Sequence, residues 1–234
     1  MPFGYYYFDP LYIGLVLVSF VIMAAAQIGV KSSYSKYAKI ANARGLTGRD
    51  AAELVLQSGG VSDISITSVR GKLTDHYDPR SKTIRLSEGV YAANTIAAVG
   101  IAAHEAGHAL QHAQGYSPLK LRSAIIPLSS YGPSIGILLL IVGALLNFEG
   151  LIWAGLILFS FAFFFQLVTL PVEFNASRRA IAAIRESGML DEREQQGAAA
   201  VLRAAAMTYV AAMLQSFMTL LYYVIRFAGN GRRR

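Results

Sequence analysis

Three of the four histidines in this chain lie within nine residues, at positions 104, 108 and 112. Glu105 follows the first of them, so the segment from His104 to His108 has the pattern His-Glu-x-x-His. In a helix, residues four apart lie on one face, about 6 Å apart along the axis. Two imidazoles at this spacing can bind one Zn²⁺ at about 2.0–2.1 Å each, and Glu105 can take a proton from water in the open coordination position. The pattern predicts zinc-assisted hydrolysis of an amide bond.

A third zinc ligand has to come from another part of the chain, because catalytic zinc normally has three protein ligands and one water. His112 is unsuitable, since it lies about 12 Å beyond His104 along the same helix; we expect it at the surface or behind a ligand. The longer metzincin pattern is also absent. Glu173, at the start of a predicted helix after Pro171, is a candidate. From the residues alone it is equally well explained as a first-turn carboxylate favoured by the helix dipole.

Four segments without any charged residue predict membrane-spanning helices. Each reaches the roughly 20 residues that cross a bilayer core, and only 15% of the chain is charged, against roughly 25% in globular proteins. The segments are residues 11–30, 124–148, 150–172 and 204–225. We therefore expect a mainly α-helical integral membrane protein with about four transmembrane helices. The alternative is three spans with a re-entrant or interfacial last helix, because a fourth span would place Arg232, Arg233 and Arg234 outside.

Basic residues after the first and third segments predict the orientation. They are Lys31, Lys36, Lys39, Arg178, Arg179 and Arg185. Positive charge concentrates in cytoplasmic loops, so the expected location is the cell membrane, multi-pass, with the active site on the cytoplasmic side. We therefore expect the basic residues behind the net charge of +7 to contact the lipid bilayer. Nucleic acid is not an expected partner, because no basic-aromatic binding motif is present. The absence of cysteine excludes disulfides, thiol catalysis and Cys-ligated metal.

The N-terminal segment is predicted to be an uncleaved membrane anchor. Residues 1–10 contain no Lys or Arg, whereas a signal peptide begins with positive charge. Tyr5, Tyr6, Tyr7 and Phe8 are typical of an interfacial aromatic belt.

The chain divides into five predicted regions. They are an anchor (1–30), a cytoplasmic region with the histidine helix (31–123), a transmembrane hairpin (124–172), cytoplasmic helices with Glu173 (173–203), and a last transmembrane helix with a basic tail (204–234). Within the second region, patterning predicts helices at 35–43, from Thr47 to Gly59, and at 95–114, with strands near Ile64–Ile66 and at Lys82–Leu86. The second strand is expected to bind extended substrate by strand addition.

Three segments resemble the YugP-type neutral zinc metallopeptidase family over nearly the whole chain. They are residues 104–111 (HEAGHALQ), 75–79 (DHYDP) and 173–180 (EFNASRRA). More remotely, the order of strand, histidine helix, membrane hairpin and Glu-bearing helix is similar to HtpX and the CAAX prenyl proteases. The resemblance implies Glu173 as third zinc ligand in a gluzincin-like site, and a cytoplasmic zincin-like α+β domain with a short sheet. HtpX has Asp where this chain has Ser177, so another residue has to orient a ligand histidine; Asn175, Asp75 and Asp78 are candidates.

The expected function is a membrane-bound zinc endopeptidase that cleaves membrane or membrane-proximal proteins at the cytoplasmic face. Glu105 would act as general base and then protonate the leaving amine. The candidates for an oxyanion donor or substrate contact are His76, Tyr77 and Arg178. The alternative is a non-catalytic zinc-containing scaffold or assembly factor, in which His76 or His112 would close the site as a fourth ligand. A transporter is disfavoured, because the apolar segments contain almost no ionisable residue.

Overall fold

The computed structural model describes residues 9–228, so the predicted aromatic belt at Tyr5–Phe8 and the C-terminal arginines lie outside the described residues. The chain is mostly helical and carries one small sheet, as predicted. In chain order the elements are α1 (Pro10–Tyr37), α2 (Gly48–Ser58), β1 (Ser65–Val69), β2 (His76–Asp78), β3 (Thr83–Ser87), α3 (Glu88–Tyr91), α4 (Ile96–Ala113), α5 (Ser117–Leu146), α6 (Glu149–Glu186) and α7 (Glu192–Ala228). Among these, α1, α5, α6 and α7 are long and apolar enough to cross a membrane.

The described chain forms two compact units. An apolar unit contains residues 9–26, 121–170 and 208–228, and an α+β unit contains residues 27–120 and 171–207. Helices α1, α5, α6 and α7 each contribute residues to both units.

The apolar unit is built from antiparallel helices. A turn at Asn147, which has a left-handed φ of 51°, joins α5 to α6, and the two backbones approach closely at Gly136 and Gly155. Aromatic contacts pair α6 with α7, with Phe159 against Tyr223 and Phe163 against Phe217. The unit leaves large apolar side chains exposed, among them Phe20, Leu146 and Ile157. Such a surface is unfavourable in water and suits lipid.

The α+β unit has a conventional buried core. Thr47 caps α2 through a capping box with Asp50, which satisfies backbone N–H groups that a helix start leaves open. The amphipathic α2 then packs on α4. Fully buried core side chains come from several elements, including Val55, Ile84, Leu86, Val99 and Ile184.

The sheet has the strand order β1-β3-β2, with β1 parallel and β2 antiparallel to β3. The predicted strand Lys82–Leu86 corresponds to β3, which is the central strand. β1 pairs with all five residues of β3, and β2 pairs with Thr83–Arg85. Both edges of β3 are therefore occupied over Thr83–Arg85, which contradicts the expectation that this strand binds substrate by strand addition. The open edges in the described chain belong to β1 and to β2, a three-residue strand that the patterning did not predict.

Two predicted helices also differ from the structure. The separate helix expected at residues 35–43 does not form, because α1 continues to Tyr37 and Ala41 pairs with Thr95 in an isolated bridge. The helix expected to begin after Pro171 is instead the continuation of α6, which runs through this proline. Proline is tolerated inside apolar helices, where neighbouring groups satisfy the carbonyl that it leaves free.

Candidate metal centre

Helix α4 presents His104 and His108 side by side. Thr95 caps the helix by accepting a hydrogen bond from the Ala98 N–H. A run of small residues up to Ala103 is buried, which fixes one face of the helix against the core. The two imidazole rings lie edge to face, with their centroids 4.7 Å apart. The predicted helical spacing therefore brings the two histidines together.

Glu173 reaches the same point from α6. Its Oε2 lies 3.3 Å from His104 Nε2 and 3.5 Å from His108 Nε2. One ligand atom from each of the three residues falls within 4.8 Å of the other two. The Glu173 side chain is 3% exposed, whereas His104 and His108 are 15% and 12% exposed. The carboxylate thus forms the buried wall of the cluster, and the imidazoles form its accessible side.

The spacing of these atoms fits a tetrahedral zinc site. In such a site, with zinc–ligand distances of about 2.0–2.1 Å, neighbouring ligand atoms lie about 3.3–3.4 Å apart. The two Nε2–Oε2 separations are 3.3 and 3.5 Å. Two imidazole nitrogens and one carboxylate oxygen are also a donor set that zinc uses at catalytic centres. The residues present therefore fit the metal that the sequence pattern predicts.

Glycine at position 107 allows α4 and α6 to approach closely. A Cβ atom built on Gly107 would lie 2.7 Å from the carbonyl oxygen of Ala176, well inside van der Waals contact. Gly107 lies between the two histidines, and Ala176 lies three residues after Glu173. The residue between the ligands therefore sets how near the Glu173 segment can come.

Glu105 is buried on α4 and acts electrostatically on the cluster. Burial lowers the pKa of His108, but contact with Glu173 and the negative charges of Glu105 and Glu173 raise it more. The net effect is a pKa above the ordinary value for histidine. The negative charge that raises this pKa also favours a bound cation.

The outer nitrogens of both histidines contact neutral side chains. His104 Nδ1 lies 3.1 Å from Ser177 Oγ, and His108 Nδ1 lies 3.0 Å from Gln111 Oε1. Of the alternatives considered for this role, Asn175 accepts hydrogen bonds from Gln111 and Arg179, and within residues 9–228 it forms none with His104 or His108. The sequence analysis assigned no role to Gln111, although its position three residues after His108, on the same helix face, was the available signal.

The two aspartates considered for that role bind elsewhere. Asp75 accepts hydrogen bonds from the backbone and hydroxyl of Ser87. Asp78 accepts from Ser81 and Arg85, and these bonds hold its pKa well below the ordinary value. Both carboxylates stabilise the sheet and its turns.

The remaining predicted site residues occupy exposed or partly exposed positions on β2, α4 and α6. Tyr77, on β2, places its hydroxyl 2.8 Å from Nδ1 of His112, which is exposed. His76 is exposed, with Nδ1 2.8 Å from the carbonyl of Thr74, and Arg178 is exposed on α6. Within residues 9–228, none of the four forms a hydrogen bond to His104, His108 or Glu173. Tyr77 is joined to α4 through its contact with His112.

Comparisons with known proteins agree with this chemistry. The profile of a family described as "Putative neutral zinc metallopeptidase" matches residues 12–228. The chain is also similar to the "Putative membrane protease YugP" of Bacillus subtilis (strain 168), with 46% identity over 222 residues, which cover 95% of this chain and 98% of the relative. No solved structure matches the chain.

Proposed function

The chain belongs to the family described as "Putative neutral zinc metallopeptidase", and from that premise we propose that it is a zinc-dependent endopeptidase of the cell membrane. Its substrates are proteins in the membrane or next to it, cleaved at the cytoplasmic face. The observation that carries the proposal is the separation of 3.3 and 3.5 Å between Glu173 Oε2 and the Nε2 atoms of His104 and His108. These are the spacings of atoms that share one zinc ion.

In the proposed mechanism His104, His108 and Glu173 hold the metal, and Glu105 moves the proton. Zinc bound there would act as a Lewis acid toward the scissile carbonyl and make water more acidic. The Glu105 carboxylate accepts a proton from the attacking water and then delivers it to the leaving amine. Burial of Glu105 keeps this proton transfer away from bulk solvent.

Strand β2 is the proposed binding edge for an extended substrate. β3 is paired on both sides, whereas one edge of β2 is open in the described chain. Tyr77 joins β2 to α4 through the 2.8 Å contact with His112. A polypeptide added to β2 would therefore run beside the helix that carries His104 and His108, with specificity coming from alternate side chains.

Two observations favour a catalytic site over the non-catalytic scaffold. A structural zinc site is closed by four protein ligands, whereas a catalytic site keeps one position for water. Within residues 9–228, the cluster of side chains that could hold a metal ion contains three residues. The two histidines considered as a fourth ligand, His76 and His112, are exposed and are not part of this cluster.

The membrane location of the proposed activity follows from the chain order. Glu173 comes directly after the apolar segment 150–172, and Arg178, Arg179 and Arg185 follow it. A basic segment at the end of a span is typical of the cytoplasmic side. The proximity of this proposed ligand to the end of a span supports catalysis near the membrane surface, where juxtamembrane segments of other proteins are within reach.

The test compares zinc content and cleavage in purified detergent-solubilised protein. The substrate is an unfolded, fluorophore-labelled polypeptide that contains one apolar segment. We expect Glu105→Gln to retain one zinc and to lower kcat by about 10²- to 10⁴-fold, the usual contribution of a general acid–base. His104→Ala should lose the zinc. Glu88→Gln, which changes an exposed glutamate of α3, is the matched control and should behave as the parent.

Three outcomes would contradict parts of the proposal. Full cleavage by Glu105→Gln would refute its role as general base, and stoichiometric zinc in His104→Ala would refute the ligand assignment. A parent protein that holds zinc in a fully coordinated site and cleaves nothing would favour the scaffold.

A further inference from the structure

Gln111 is fully buried at 0% exposure, and each polar atom of its amide has a partner. Its Oε1 lies 3.0 Å from His108 Nδ1, and its Nε2 lies 2.8 Å from the Val172 carbonyl and 2.9 Å from Asn175 Oδ1. Burying an amide is costly unless its hydrogen bonds are all made. An apolar residue would satisfy packing alone, so the amide at this position calls for a further explanation.

We propose that Gln111 is a positioning residue that fixes the tautomer of His108 and ties this ligand to the segment of α6 that carries Glu173. The proposal rests on the metal centre of the proposed function and adds a residue to it. The site residues named from the sequence pattern do not include Gln111.

The direction of each hydrogen bond follows from groups that can only donate or only accept. The Val172 carbonyl can only accept, so the Gln111 NH₂ group has to face it. The amide oxygen then faces His108 and can itself only accept. The proton of a neutral His108 therefore resides on Nδ1, and the lone pair of Nε2 points to Glu173 and the metal position.

The far end of the network gives the same orientation independently. Arg179 can only donate, and its Nε lies 2.7 Å from Asn175 Oδ1. Asn175 thus presents an acceptor to Gln111 as well as to Arg179. Arg179 is itself held by Gln114 Oε1 at 2.6 Å. The amide of Gln111 is therefore fixed from both sides, and a flipped amide would place two donors or two acceptors against each other.

The same bonds link two zinc ligands mechanically. Val172 and Asn175 lie on either side of Glu173 in α6, and both accept from Gln111, which is one helical turn after His108 in α4. His104 differs, because the Ser177 hydroxyl at 3.1 Å can donate or accept. We expect one fixed histidine tautomer, at His108, and a less restricted one at His104.

The first test reads the tautomer directly in ¹⁵N-histidine-labelled protein by NMR. The chain has four histidines, so variants that each replace one histidine suffice to assign the four imidazole signals. In zinc-free protein at alkaline pH, where the imidazoles are neutral, His108 should show the Nδ1–H pattern. An Nε2–H pattern would overturn the proposal, and this measurement requires no variant of Gln111.

The second test uses Gln111→Leu, which keeps the volume and removes every hydrogen bond. We expect the zinc dissociation constant, measured by competition with a chelator, to rise by about 10- to 100-fold, as for outer partners of metal ligands. The Nδ1–H pattern of His108 in the NMR spectrum should also be lost. Gln57→Leu, the same change at an exposed position of α2, should leave both readouts unchanged.

Unchanged zinc affinity and an unchanged His108 resonance in Gln111→Leu would contradict the proposal. If Gln111→Leu fails to fold, Asn175→Ala removes one acceptor of the same amide and should give a smaller shift in the same direction. Failure of the parent to bind zinc would instead contradict the proposed function, while the tautomer in zinc-free protein would still decide the role of Gln111.

Discussion

Neutral side chains hold the outer nitrogens of both proposed histidine ligands. Metal-binding histidines often donate this N–H to a carboxylate, which orients the ring and increases its basicity. Here Ser177 and Gln111 take that position. A hydroxyl or an amide orients the ring but adds no negative charge. The negative charge that acts on His108 comes instead from Glu173, the proposed third ligand, and from Glu105, the proposed general base.

Ser177→Ala tests this arrangement at His104. The loss of the hydroxyl leaves His104 Nδ1 without its 3.1 Å contact, so the ring is less well oriented toward the metal. We expect the zinc dissociation constant to rise by about 10-fold, the lower end for such residues. The measurement is chelator competition on purified protein.

A suitable control for that change is Ser187→Ala, which removes a hydroxyl just after α6 that bonds only to backbone carbonyls of the same helix. Zinc affinity should be unchanged in this control. Equal affinities for both variants would show that Ser177 has no part in orienting His104.

At this scale, the sequence predicted what a single helix determines. The positions of His104 and His108 follow from a local spacing of four residues, so the pattern alone brought them together. Glu173 is 65 residues beyond His108, and nothing local distinguishes it from an ordinary first-turn carboxylate; only the family resemblance singled it out. The spacing of Gln111 from His108 is local, but its link to α6 was not predicted, because its partners Val172 and Asn175 are 61 and 64 residues away in the chain.

At the scale of elements, the site depends on how closely α4 and α6 approach. Gly107→Ala tests this, because its Cβ would lie 2.7 Å from the Ala176 carbonyl oxygen and would push the Glu173 segment away. Overpacking of this kind costs about 1–3 kcal/mol. We expect zinc affinity to fall about 10-fold, since 1.4 kcal/mol corresponds to a factor of ten.

The matched control is Gly29→Ala on α1, where an added Cβ meets no atom within 4 Å. Both variants replace a helical glycine by alanine, so helix propensity favours the two equally. Zinc affinity by chelator competition should fall for Gly107→Ala alone. A parent-like Gly107→Ala would mean that α6 adjusts without moving Glu173.

The α5–α6 hairpin depends on a similar approach of backbones. A Cβ on Gly136 would lie 2.7 Å from the Gly155 carbonyl oxygen and 2.8 Å from the Phe159 nitrogen. Small residues at helix crossings allow such packing in membranes. We expect Gly136→Ala to lower the thermal unfolding temperature in detergent, at a cost of about 1–3 kcal/mol. Gly14→Ala, with open space around it, should unfold as the parent; equal unfolding temperatures would contradict close packing of the hairpin.

The sheet shows where element-level prediction stopped. Alternation identified β3 correctly as a strand, but alternation carries no information on which strands flank it. β2 has three residues, too few for a periodic signal, and its pairing with β3 is what makes β3 central. The position of β2 at the edge of the sheet therefore could not be assigned from the sequence.

At the scale of the whole molecule, the open question was whether the last apolar helix crosses the membrane. Within the apolar unit, α7 runs antiparallel to α6, since Phe163 contacts Phe217 and Phe159 contacts Tyr223. Tyr222, near the end of α7, donates a hydrogen bond of 2.9 Å to Asp9, just before α1. The start of α1, the α5–α6 turn and the end of α7 thus share one end of this unit. An interfacial last helix would not pair along α6 in this way, so these contacts favour four spans.

Cysteine accessibility tests this topology cleanly, because the natural chain has no cysteine. We expect Glu149→Cys, at the α5–α6 turn, and Ala228→Cys, at the end of α7, to react with a membrane-impermeant maleimide in intact cells. Ser62→Cys, in the loop before β1, should react only after permeabilisation, because the basic residues after α1 predict a cytoplasmic location for that region. Labelling of Glu149→Cys but not Ala228→Cys in intact cells would support three spans. Labelling of Ser62→Cys alone would show the opposite orientation and would contradict the proposed cytoplasmic side of the activity.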